Sequence, residues 1–209
     1  MTSLERLITY FEKFPGIGSR QARRFAFHLL TEPMDELNTF AETIRTIKST
    51  VSECHSCFRF YTRGVQGNVC PICSSESRDR SKLCIVERDS DVDAIERSRT
   101  YDGLYFILGG TVPLLEAHDV KKLRGGALKN AVETRSQEGL KEIILGFSVN
   151  PDGENTARYI ETLLRTILDE HRIVVSYLGR GLSTGSELEY ADSETIKNAL
   201  IHRTHNLEK

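Results

Sequence analysis

Two cysteine pairs, Cys54-His-Ser-Cys57 and Cys70-Pro-Ile-Cys73, with twelve residues between them, constrain what this chain can fold into more than any other feature. Each C-x-x-C forms a tight knuckle with two sulfurs on one side of a tetrahedral Zn²⁺, so two knuckles can close a four-sulfur structural site around one ion per chain. Pro71 favours the turn of the second knuckle. The competing readings are two disulfides or four unrelated thiols, and no secretory context supports the disulfides. His55 is a spare donor that a site closed by Cys54, Cys57, Cys70 and Cys73 leaves unliganded. The fifth cysteine, Cys84, lies in the apolar run Leu83-Cys84-Ile85-Val86 and reads as a buried strand residue.

At 209 residues and 39% hydrophobic composition, there is enough chain for one ordinary domain with a small satellite. The first residues, Met-Thr-Ser-Leu-Glu-Arg, lack a basic segment followed by an apolar one. No run approaches the roughly 18 apolar residues of a membrane span. Reduced thiols then make the cytoplasm the expected compartment, with no membrane partner. A formal net charge of −2 excludes little, because local clustering rather than the sum decides nucleic-acid binding.

Before the cysteines the pattern is helical. Leu4, Leu7, Ile8 and Phe11 recur at i, i+3, i+4 and i+7, which predicts a helix over about 3–13. Phe14-Pro-Gly-Ile-Gly18 breaks it. Ser19 is placed to cap a second helix to about Leu30, with Ala22, Phe25, Ala26 and Leu29 on its apolar face. A third helix, opened by Thr31 and Pro33, carries Leu37, Phe40, Ala41, Ile44 and Ile47 on one stripe. After the cysteines, strands and helices alternate, the mark of a parallel sheet covered by helices. Strands are predicted at 83–86, 104–108, 143–147 and 173–178, and helices at about 91–97, 127–135 and 154–168. On the last of these Ala157, Ile160, Leu163, Leu164 and Ile167 face inward. A loop of small residues over 179–186 precedes a final helix from Ser193.

The glycines of Pro15-Gly-Ile-Gly18 allow a tight helix-hairpin-helix turn whose bare N–H groups can hold a DNA phosphate. Arg20, Arg23 and Arg24 project from the first turns of the second helix, Arg20 and Arg24 one turn apart. An ordinary hairpin with a solvated basic face has the same pattern. Glu87 sits at the C-terminal end of the first predicted sheet strand, and Asp152 and Glu154 follow the third. Neighbouring rims could bring these carboxylates together around Mg²⁺, or leave them as a solvated acidic edge. No G-x-x-x-x-G-K-[ST] run occurs, so no nucleotide site is expected.

Taken together, these stretches resemble the RecR family of bacterial recombination mediators. The resemblance rests on Phe14 to Leu30, the four cysteines, Leu83-Cys-Ile-Val-Glu-Arg88, Gly103-Leu-Tyr-Phe-Ile-Leu-Gly-Gly110, and Arg180-Gly-Leu182 with Leu188-Glu-Tyr-Ala-Asp192. It implies an α+β, multi-part chain: a helix-hairpin-helix region over 1–53, a four-cysteine zinc module over 54–80, a Toprim-type parallel α/β domain over 81–178, and a Walker B-like loop and C-terminal helix over 179–209. It further implies a homodimer or a tetrameric ring around DNA, acting with RecO and RecF to load recombinase on single strands. Arg20 and Arg24 fall on the family's basic positions and Glu87 on the Toprim glutamate. Catalytic Toprim sheets carry Asp-x-Asp after the third strand, where this chain has Ser148 and Asn150, a departure that agrees with a clamp without chemistry. Ser148-Val149 and the 110–135 region also depart from the usual family sequence, as do Ser183, Thr184 and Ser186. Glu87, Asp152 and Glu154 would then shape the fold or dock a basic partner. The alternatives are an Mg²⁺-dependent Toprim nuclease or primase-like enzyme, and a zinc-dependent interaction module without a grip on DNA.

Overall fold

The computed structural model describes residues 1–64, 67–113, 123–179, 189, 191 and 193–201. The chain divides into two compact units, Met1–Ser52 and Glu53–Lys209. In the first, α1 (Ser3–Glu12) opens with a capping box: Thr2 Oγ1 accepts from the Glu5 N–H and the Glu5 carboxylate accepts from the Thr2 N–H. Phe14 to Ile17 then turns the chain. The Ile17 N–H donates to the Phe14 carbonyl at 3.1 Å and Gly16 adopts φ +75°, the pattern of a type II turn with proline first and glycine second. Helix α2 (Ser19–Thr31) returns against α1, burying Ala22 and Ala26 and setting Phe25 edge-on to Phe11 at 5.7 Å.

Gly18, not Ser19, is the N-cap of α2, so no side chain caps its first turn. Thr31 ends α2 by donating its hydroxyl to the His28 carbonyl. It therefore does not open α3 (Met34–Thr50), whose N-cap is Pro33. Phe40, Ile44 and Ile47 do lie on one stripe, but they are about half exposed, at 47%, 58% and 51%.

Residues 51–53 form a strand rather than the end of an all-helical region. β1 (Val51–Glu53) pairs with β2 (Phe60–Thr62), and the one-turn helix α4 (Pro71–Ser74) follows. The second unit is built on a four-stranded parallel sheet of order β4-β3-β5-β6, made of β3 (Asp79–Val86), β4 (Gly103–Ile107), β5 (Glu142–Gly146) and β6 (Val174–Tyr177). Helices α5 (Asp89–Ser98), α6 (Gly125–Gln137) and α7 (Pro151–His171) make the crossovers, and α8 (Ser193–Ile201) ends the described chain. Right-handed connections from β3 out to β4, then back past β3 to β5 and on to β6, put α6 and α7 on the same face, where they pack together. The near-continuous apolar runs of β3 and β4 suit strands covered on both faces.

One core runs through the unit. It joins Leu83, Ile85, Leu104, Phe106, Ile143, Leu128, Ile160 and Leu164 to the four paired cysteines and Ile72. Cys84 is inside it at 2% exposure, as its apolar run implies, and burial pushes its thiol up to about 12. Leu163, expected inward, is half-buried against this core.

Candidate functional site

The two knuckles form by different local means. In the first, the Phe58 N–H donates to the Cys54 carbonyl at 2.9 Å and the Cys54 N–H to the Arg59 carbonyl at 2.8 Å, with Phe58 at φ +65°. In the second, Cys70 is the N-cap of α4 and Pro71 its first residue, so the ring that fixes φ also removes an N–H that had no acceptor. The loop between them is tied across by the His55 N–H donating to the Asn68 carbonyl at 3.0 Å and the Cys70 N–H to Cys54 Sγ at 3.3 Å.

The four sulfurs lie within 4.8 Å of one another, all buried, with Cys57 and Cys70 3.6 Å apart. Tetrahedral Zn–S bonds of about 2.3 Å put sulfurs about 3.8 Å apart, so the donor set fits zinc. Crowding already disturbs the protons. Hydrogen bonds from Cys57, Cys70 and Cys73 pull Cys54 far below the usual thiol range and Cys70 comes down to about 6, while the shared sulfurs and burial drive Cys57 and Cys73 up. A cation in the centre would do for all four what hydrogen bonds do for some. His55 is exposed and outside the group.

This cluster is fastened to the sheet. The Ile107 N–H on strand β4 donates to the Cys57 carbonyl at 2.9 Å, and Phe58 packs edge-on to Phe106 at 5.3 Å. Arg124 lies over the Phe58 ring at 4.9 Å while bonding Glu53 at 2.5 Å and the Ile107 carbonyl at 3.2 Å. From α6, Arg135 donates to Ser56 Oγ at 2.9 Å. Sequence patterning did not single out Arg124 or Arg135, because their partners are 71 and 79 residues away.

In the helical unit, Arg20, Arg23 and Arg24 are exposed on α2, and among the described residues none of them is ion-paired. Ala22 N–H, the fourth from the helix start, is the first to find a backbone acceptor, in Gly18. The N–H groups before it face outward without a side-chain cap, beside guanidinium charge, which is the chemistry that holds a phosphate.

The three acidic residues do not converge on a metal site. Glu87 is largely buried beside the guanidinium of its neighbour Arg88. Asp152 and Glu154 belong to the first turn of α7, with Glu154 3.9 Å from Arg158. Among the described residues, the cysteines are the only group of three or more potential ligands gathered closely enough to hold an ion. The reason is local: Asn150, where a second metal carboxylate would be expected, is the N-cap of α7, its side-chain oxygen accepting from the Gly153 N–H at 2.8 Å. The helix starts three residues before the expected Glu154, and its first turn closes over the preceding loop. Asn150-Pro151 is the sequence signal for that start. The Arg180-Gly-Leu182 and Leu188-Glu-Tyr-Ala-Asp192 motifs fall mainly outside the described residues.

A helix-hairpin-helix unit with a bare basic turn, joined to a four-cysteine cluster on a Toprim-type sheet, defines a class of nucleic-acid maintenance proteins. Family comparison is consistent with each part: residues 4–48 match the RecR helix-hairpin-helix model, 81–179 the Toprim domain, and 181–204 the RecR C-terminal model. Proteins named Recombination protein RecR from Staphylococcus saprophyticus and Rubrobacter xylanophilus are each 37% identical over 201 residues, 96% of both chains. One from Bifidobacterium longum is equally similar over 96% of this chain and 95% of its own. The chain belongs to the RecR family.

Proposed function

We propose that this protein is a DNA-binding clamp and adaptor in recombinational repair, acting in the cytoplasm with RecO- and RecF-type proteins to load recombinase on single-stranded DNA. The observation that carries the DNA contact is the uncapped start of α2 with Arg20, Arg23 and Arg24 exposed beside it and, among the described residues, in no ion pair. Contacts of this kind read phosphates rather than bases, so binding is independent of sequence. Membership of the family supports the recombination role. No helix among the described residues is long and apolar enough to cross a membrane.

One Zn²⁺ per chain, held by Cys54, Cys57, Cys70 and Cys73, serves structure. The half-exposed stripe of Phe40, Ile44 and Ile47 on α3 supports self-association into a dimer or a tetrameric ring, since apolar side chains at helical spacing are seldom left to water. Glu87, Asp152 and Glu154 serve as separate contacts for a basic partner, Glu87 and Glu154 each sharing its charge with a neighbouring arginine, so that charge there mainly sets encounter rate and orientation.

The test is fluorescence anisotropy with labelled single-stranded and gapped DNA over a salt series. The Arg20→Ala/Arg24→Ala double variant is expected to bind every sequence at least about ten-fold more weakly and with a flatter log–log salt slope, about 0.7 lost per phosphate contact on a single strand and about 0.9 on duplex. Unchanged affinity and slope would reduce the hairpin to a structural element. Incubation of the same DNAs with Mg²⁺ or Mn²⁺ is expected to leave them intact. Cleavage abolished by Glu87→Gln would establish an enzyme instead.

A further inference from the structure

A second cationic surface lies in the other unit, between the first knuckle and α6. It is an open groove of about 550 Å³, far more than a free phosphate ion fills. On α6, Ala127, Asn130, Ala131 and Thr134 recur at helical spacing and form one wall, with Glu138 at the C-cap just beyond it. The two alanines keep that wall low, so a ligand can come close to the helix. Asn130 and Thr134 present an amide and a hydroxyl.

Arg80, from the start of β3, reaches the groove exposed and, among the described residues, without an ion pair. Arg135 also lines it. It donates to the Ser56 hydroxyl and, among the described residues, meets no carboxylate in an ion pair, so its charge is oriented rather than neutralised there. His55 adds a donor from the knuckle, and Glu138 is the single acid among the lining residues. Two guanidinium groups that make no ion pair among the described residues, lining one groove with a hydroxyl and an amide against a single carboxylate, form the usual contact set for a sugar–phosphate backbone.

We propose that this groove binds the phosphodiester backbone of a DNA strand, as a second contact separate from Arg20 and Arg24. The proposal rests on the DNA-binding reading above and adds to it a contact beside the cysteine cluster. An acidic peptide would satisfy the arginines but has less use for the aligned Asn130 and Thr134.

The experiment is a salt-dependent anisotropy series on the full chain, with fluorescein-labelled single-stranded DNA and labelled oligoglutamate as probes. Arg80→Glu is expected to weaken DNA binding by about ten-fold and to lower the salt slope by about one contact. Asn130→Asp, which puts a negative charge in the same groove without touching Arg80, should move affinity in the same direction. Combined with Arg20→Ala/Arg24→Ala, the losses should multiply, as for independent sites. If the double variant weakens binding while Arg80→Glu and Asn130→Asp leave it unchanged, the groove proposal fails alone. A wild-type protein that does not bind DNA overturns both readings. Oligoglutamate binding lost in Arg80→Glu, with DNA affinity intact, would overturn the proposal by giving the groove to an acidic peptide.

Discussion

Asn150 and Gly153 show how single residues decided what the sheet rim became. The Asn150 side chain caps α7, and a Cβ at position 153 would sit 2.0 Å from the Ser148 carbonyl oxygen, so only glycine lets the first turn close over the loop. Asn150→Ala should cost about 1 kcal/mol in thermal or urea unfolding, while Asn150→Asp, an equally good cap, should cost little. At the other end of the sheet, Arg78 donates to both Glu96 carboxylate oxygens at 2.9 and 2.5 Å, and the Tyr105 hydroxyl donates at 2.6 Å. The Arg78 hydrogen bond holds the Glu96 carboxyl below its ordinary 4.5 against the opposing effect of burial. A depressed carboxylate stabilises the fold above its unfolded value and loses that contribution as pH falls. The wild-type urea midpoint should therefore drop below about pH 4.5 more steeply than that of Glu96→Gln. Neither the Glu96 nor the Gly153 contact was legible in the sequence, since each depends on a backbone path that brings the partners together. The cap was legible in Asn150-Pro151, although the apolar stripe drew the expected helix start to Glu154.

At the scale of elements, the knuckle and strand β4 hold each other in place. Cysteine spacing alone predicted which four sulfurs gather, because the chemistry of C-x-x-C fixes them locally. It could not predict that Cys57 would bond Ile107, or that Phe58 would seat on Phe106, contacts made across about fifty residues of chain. The flanking strands β1 and β2 are three residues each, too short for alternation to show. Structural zinc contributes about 10–16 kcal/mol in small modules, against about 5–15 kcal/mol for a whole domain. With the cysteines inside the sheet's own core, chelation should lower the melting of the whole second unit rather than of a separate satellite. Elemental analysis of protein purified without chelator should give one zinc per chain, and finding none with all thiols free would end the assignment. Chelation should also expose four thiols to a labelling reagent near neutral pH while Cys84, buried and shifted to about 12, stays unlabelled until the sheet unfolds.

At the scale of the molecule, periodicity made the α3 stripe legible but gave no sign of what covers it. The strand succession announced a parallel sheet, but its order β4-β3-β5-β6 follows from how the crossovers pack and not from any one segment. Ile44→Asp places a charge in the middle of the stripe. It should shift mass measured by light scattering toward the monomer while leaving helix content intact, and an unchanged mass would locate self-association elsewhere.

The 2.9 Å bond from Ile107 to the Cys57 carbonyl also has a meaning for the chain's behaviour among its own copies. β4 is an outer strand, and an outer strand with unsatisfied N–H and carbonyl groups is a template on which another chain can add. The first knuckle covers part of that template. Loss of the cysteine cluster's order would then uncover that template, and a Cys57→Ser variant is expected to aggregate edge to edge, read as a rise in scattered light at concentrations where the wild type shows none.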